Sequence, residues 1–126
     1  MSDDTVQQVY LKVTQKIQES QKQLNQIDAQ ISANQREIRL ASLTKRELDG
    51  LDSSTPLYKS MGKMFVQESK SSLLEDIDKE TSNANTLIEA LEKKKKFVSR
   101  SLEEATGNLK DIIRMAQTAS GSGASK

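Results

Sequence analysis

VQQVYLKVTQKIQESQKQLNQIDAQISANQREIRLA, residues 6–41, places a seam position at alternating steps of four and three. The stripe runs through Val6, Tyr10, Val13, Ile17, Ser20, Leu24, Ile27, Ile31, Asn34, Ile38 and Ala41, and only Ser20 and Asn34 in it are polar. A repeat averaging 3.5 residues keeps one seam facing a partner helix and gives left-handed coiled-coil packing. A second stripe follows the same alternation through Leu74, Ile77, Thr81, Ala84, Ile88, Leu91, Lys95, Val98, Leu102, Ala105, Leu109, Ile112, Ala116 and Ala119, broken only at Thr81 and Lys95.

The two stripes become mirror images when the chain folds back on itself so that paired positions sum to 115. Polar interruptions then meet each other, Asn34 with Thr81 and Ser20 with Lys95, and large residues meet small ones, Tyr10 with Ala105 and Ile31 with Ala84. A polar group stranded in an apolar layer costs about 1–3 kcal/mol, which is the ground for preferring this register over slips by multiples of seven. The expected architecture is mainly α, a long antiparallel two-helix coiled coil; two separate intermolecular coiled coils are the alternative reading of the same stripes. Lys95 has two readings as well: a charge that fixes register at some cost in stability, or a side chain that snorkels outward.

Composition agrees with a seam rather than a rounded core. Two Tyr, two Phe and no Trp accompany 29% charged residues, so apolar bulk is scarce while the outer helix faces are well charged. Glu75–Lys79, Glu89–Lys93 and Glu92–Lys96 stand at the favourable four-residue spacing. The net charge of +1 supplies no field for nucleic acid or an anionic membrane, and the run Lys93–Lys96 reads as a solvated helix face. With no Cys and no His, disulfides, thiolate chemistry, imidazole bases and the commonest metal ligands are excluded. The remaining carboxylates, Lys and Ser fall on solvated faces or caps, so no catalytic residue, cofactor or metal is expected. No apolar run approaches the roughly 20 residues that cross a bilayer, and no signal-peptide pattern opens the chain. The expectation is a soluble, intracellular protein of one domain, residues 1–126.

Along the chain, Asp4 with Gln7 marks the start of a first helix over residues 5–42. Thr44 with Glu47 forms a second capping box over a short helix at 45–51, ended by Gly50 and the DSSTP stretch. Between Pro56 and Ser69 the period changes to about 2, in LYKSMGKMFVQ at 57–67, which predicts a β-hairpin. Gly62-Lys63 suits a two-residue turn that sets Met61 opposite Met64 and Ser60 opposite Phe65. Ser69 or Ser72 caps a last helix over 70–117, weakened at Gly107, and TASGSGASK at 118–126 is expected to be a disordered tail.

A lone two-stranded hairpin is marginal in water, and this one has no third strand elsewhere in the chain. It is therefore expected to join hairpins of neighbouring subunits edge to edge. At the other end, Val9, Leu11, Ile113 and Met115 lie outside the seam, and together with Val6, Tyr10, Leu109 and Ile112 they offer a frayed apolar tip to a non-native chain. Singly exposed apolar residues are also common on ordinary surfaces, which is the plainer reading of these positions.

A long helix, a short helix, one hairpin and a second long helix resemble the β-type subunits of prefoldin over about residues 5 to 117. LYKSMGKMFVQESK, with Tyr58, then Met61-Gly62, then Met64-Phe65-Val66, is similar to that family's hairpin segment. The family's α-type subunits carry two hairpins, and this chain has room for one. The resemblance implies a heterohexamer of two α-type and four β-type subunits whose hairpins build a double β-barrel body bearing six coiled-coil tentacles. It further implies an ATP-independent co-chaperone that holds unfolded proteins, notably actin and tubulin, and delivers them to the group II cytosolic chaperonin. Leu57, Tyr58, Met61, Gly62, Met64, Phe65 and Val66 would then serve subunit assembly. A passive coiled-coil scaffold or tether, which needs the helices but not the hairpin, is the competing reading.

Overall fold

The computed structural model describes the backbone of residues 3–124 and the side chains of residues 4–118. Helix α1 spans Asp3–Asp49, strands β1 and β2 span Leu57–Met61 and Met64–Glu68, and helix α2 spans Lys70–Ala124. Two long helices with a two-stranded antiparallel hairpin between them are the architecture the sequence predicts. The described chain divides into two units, one spanning Ala29–Glu92 and the other combining the segment up to Asp28 with the segment from Lys93.

In the 29–92 unit the helical segments run antiparallel, since Lys45 pairs with Asp78 at 3.1 Å while Lys70 reaches the carbonyls of Asp49 and Leu51. The Lys70 ammonium thus sits on the orphaned carbonyls at the C-terminal end of α1, where positive charge is favoured. Ser69 is the cap of α2: its hydroxyl accepts from the Ser72 N–H at 3.2 Å, and its carbonyl accepts from the Leu73 N–H. Asn34, Ile38, Ala41, Ile77, Thr81 and Ala84 line one cleft between the segments.

In the other unit Lys95 Nζ meets Asp28 Oδ1 at 2.8 Å, and Val6, Gln7 and Tyr10 share a cleft with Ile112, Ile113, Ala116 and Gln117. Ile27, Val98 and Ala105 are buried in its seam, as are Ala84 and Leu91 in the seam of the 29–92 unit. Every seam position from Val6 to Ala41 except Tyr10 is shielded, and along α2 only Lys95 and Ala116 of the stripe between Leu74 and Ala116 are exposed. The heptad reading of both helices therefore holds.

The register does not. Residue numbers in the Asp28–Lys95 and Lys45–Asp78 pairs sum to 123, and the shared clefts centre close to the same value, which fits layers summing to 122, one heptad along from 115. Matching polar residues across the seam is the wrong criterion because Asn34 and Thr81 are satisfied within their own helices and Lys95 is met by a residue outside the stripe, Asp28. Asn34 Nδ2 donates to the Gln30 carbonyl at 2.8 Å and Thr81 Oγ1 to the Ile77 carbonyl at 3.0 Å, so neither needs a polar residue opposite. Lys95 snorkels: its head reaches Asp28 while nearly half of its side chain stays in water.

The short helix at 45–51 is also corrected. Thr44 Oγ1 donates to the Leu40 carbonyl at 2.8 Å, the bond of a residue inside a helix, and α1 continues unbroken to Asp49. The stripe continues with it, since Lys45 and Leu48 extend the four-three alternation and are both partly shielded. The first helix therefore exceeds the expected 5–42, and seam burial outweighs the capping box. At the other end α2 passes the expected limit at residue 117 and reaches Ala124, with Thr118 Oγ1 donating to the Arg114 carbonyl at 2.8 Å. The helix thus takes in most of the tail expected to be disordered; residues 125 and 126 lie outside the described residues. None of the three expected intrahelical Glu–Lys pairs closes within ion-pair distance among the described residues, as exposed long side chains gain little by pairing in water.

Two substitutions test this packing. Replacing Lys95 with Leu is expected to change the free energy of unfolding by less than about 1 kcal/mol, because it exchanges an exposed ion pair for a modest apolar contact; chemical denaturation measures it. Gly107 lies within α2, and a Cβ added there would meet nothing within 4 Å. Replacing Gly107 with Ala is expected to raise stability by about 0.5–1 kcal/mol, seen as a higher thermal midpoint.

Candidate assembly and client-binding surfaces

The hairpin pairs Leu57 with Glu68, Tyr58 with Gln67, Lys59 with Val66, Ser60 with Phe65 and Met61 with Met64. Gly62 makes this register, with φ at 62°, while no non-glycine residue among those described has positive φ. One positive-φ residue in first place is the requirement of a type II′ turn, whose twist matches that of the strands. The same alternation carries β2 to Glu68, one residue past the predicted end at 67.

Alternation splits the hairpin into two faces. Leu57, Lys59 and Met61 share one with Glu68, Val66 and Met64, and this face is tied to α2. Lys59 Nζ meets Asp76 Oδ2 at 3.0 Å, and Ser72 Oγ donates to Glu68. The hydrogen bond to Asp76, and then its charge, raise the Lys59 pKa above the ordinary 10.5. The tie favours the charged lysine of the folded state, so it is fully present at neutral pH and is lost only as pH rises past 10.5.

The other face carries Tyr58, Ser60, Phe65 and Gln67. Tyr58 is 58% exposed and Phe65 73% exposed, and among the described residues the sheet holds no strand beyond β1 and β2. Met61, Met64 and Val66 are exposed as well, while Leu57 is partly shielded. Two aromatic side chains turned to solvent beside two unpaired strand edges make a surface built to be covered.

A second apolar surface lies where the segment 6–10 of α1 faces the segment 112–117 of α2. There the seam gapes, from Ala105 at 2% exposure to Tyr10 at 43%. The resulting cleft, about 330 Å³, is lined by Val6, Gln7, Tyr10, Ile112, Ile113, Ala116 and Gln117. Of the predicted tip residues, Val6, Tyr10, Ile112 and Ile113 converge here. Leu109 stays partly shielded in the seam, while Val9, Leu11 and Met115 are exposed outside the cleft. Gln7 and Gln117 were not anticipated, since single polar residues at helix ends carry no sequence signal.

Among the described residues no group of His, Cys, Asp or Glu could hold a metal ion, and no helix is long and apolar enough to cross a membrane. What the two surfaces offer is apolar contact and, at the hairpin, strand pairing.

The chain matches the prefoldin subunit family over residues 12–115. It belongs to that family. The probable prefoldin subunit 1 of Schizosaccharomyces pombe is 31% identical over 107 residues, covering 85% of this chain and 96% of that protein. The probable prefoldin subunit 1 of Caenorhabditis briggsae is 28% identical over 90% of this chain and 97% of that protein, and human prefoldin subunit 1 is 28% identical over 88% and 91%. Among solved structures, the prefoldin beta subunit from Thermococcus strain KS-1 superposes with a TM-score of 0.74 at 21% identity, covering 83% of this chain and 92% of its own. The single hairpin between long helices is thus the prefoldin β-subunit fold, and the family is one of chaperone subunits.

Proposed function

We propose that this prefoldin-family chain is a β-type subunit of a cytoplasmic heterohexamer. Its complex captures unfolded proteins of the actin and tubulin type without ATP and delivers them to the group II chaperonin. The observation that carries the reading is the uncovered hairpin. Both strand edges are unpaired and the Tyr58–Phe65 face is open, an arrangement that a chain working alone would leave exposed to aggregation. Hairpins of other α-type and β-type subunits supply the missing strands, with Leu57, Tyr58, Met61, Met64, Phe65 and Val66 in the joint and Gly62 setting its turn. The apolar cleft at Val6, Tyr10, Ile112 and Ile113, with Val9, Leu11, Leu109 and Met115 around it, receives client segments. Contacts of this kind suit a client without fixed structure, since apolar burial is non-directional.

The test is light scattering from chemically unfolded actin diluted into buffer with the purified complex and no nucleotide. The reading expects aggregation to be suppressed and the held actin to become native when chaperonin and ATP are added. Aggregation at the rate seen without the complex would contradict it.

A further inference from the structure

Phe97 has the highest exposure among the exposed large apolar residues of the described chain, at 75%. It lies on α2 one residue before the buried Val98 and outside the seam, so the coiled coil makes no use of it. It also belongs to neither the hairpin nor the tip. On a helix, positions three and four residues away are its surface neighbours, which places Lys93, Lys94 and Arg100 around the ring. All three cations are exposed, and none has an ion-pair partner among the described residues; Lys95 is engaged by Asp28. A solvated face accounts for the lysines, and what sets Phe97 apart from a singly exposed apolar residue is the cations at its helical neighbours.

We infer that Phe97 and the cations around it form a docking site for an acidic, unstructured peptide segment of a partner protein. An aromatic anchor ringed by charge is the arrangement in which the ring supplies affinity and the charges supply orientation and rate. The dimensions agree: Lys93 to Arg100 spans seven residues of helix, about 10 Å, which an extended strand covers in roughly three residues. A short acidic run with one apolar side chain for Phe97 fits this ridge. Nucleic acid fits poorly, because a single ring on a convex helix offers neither a groove nor successive stacking platforms. This site is independent of the hairpin and of the tip, and its failure leaves the assembly reading untouched.

The experiment titrates the intact complex, purified through this chain, with a fluorescein-labelled hexapeptide of five glutamates and one phenylalanine, read by anisotropy. Saturable binding is expected, weakened about tenfold by Phe97→Ser and weakened again when salt is raised. Phe97→Ser is expected to leave the thermal midpoint and subunit composition unchanged, since its ring is in solvent. Equal affinity of wild type and Phe97→Ser overturns the inference. So does loss of the complex in that variant, which would make Phe97 a subunit contact, and so does Phe97-dependent binding of phosphatidylserine vesicles or an oligonucleotide without peptide binding.

Discussion

Replacing Tyr58 and Phe65 together with Asp is expected to leave a helical, soluble chain that no longer enters any complex. Both side chains are largely exposed on the face opposite the one tied to α2, so either substitution costs the isolated chain little. In an assembled joint each aromatic ring would contribute roughly 1.5–3 kcal/mol by burial. Each Asp would in addition bring an unpaired charge to a surface that must be desolvated, at a cost of several kcal/mol. The combined loss exceeds about 5 kcal/mol, more than a thousandfold in association. Co-purification with partner subunits should fall to background while the circular dichroism spectrum of the isolated chain keeps its helical form. A passive tether, needing only its helices, would retain its partners. Retention in the complex would therefore move the function away from the hairpin.

Converting Val6, Tyr10, Ile113 and Met115 to Ser is expected to have the opposite profile, with assembly intact and client holding impaired. These four are exposed or only partly shielded where the seam gapes, so their loss costs the coiled coil little. Against a client, four apolar contacts at partial burial amount to on the order of 3 kcal/mol, or about a hundredfold in the affinity of this one tip. Other tips of a complex soften the effect through multivalency. Suppression of aggregation should accordingly fall several-fold while native mass and thermal midpoint remain those of the unaltered complex. Unchanged suppression would mean that clients bind elsewhere.

What the sequence discloses, and what it hides, follows from how each feature is stabilised. The helices are legible because seam burial imposes a period over dozens of residues, and the hairpin is legible because Gly62 admits one turn and the turn fixes every pair. The register is hidden because a heptad repeat is degenerate to slips of seven. Two of the polar residues that would break that degeneracy bond to their own helix instead, Asn34 to Gln30 and Thr81 to Ile77, and Lys95 reaches out of the stripe to Asp28. Thr44 misleads similarly. Its spacing to Glu47 is that of a cap, yet Lys45 and Leu48 carry the seam onward and the helix with it. Continuing the four-three count past Ala41 would have found this. The tip was located only in part, since the sequence names the apolar residues near the chain ends but not which four converge on one cleft. Phe97 was passed over because a single aromatic within a lysine run has no period to reveal it.

The central claim, that the open hairpin is a joint between different subunits of the prefoldin family, is tested most directly by native mass spectrometry of the tagged chain purified gently from its own cells. The account predicts a complex of six small subunits containing one copy of this chain. Recovery of the chain alone, as a dimer of itself, or on one large unrelated partner would contradict it.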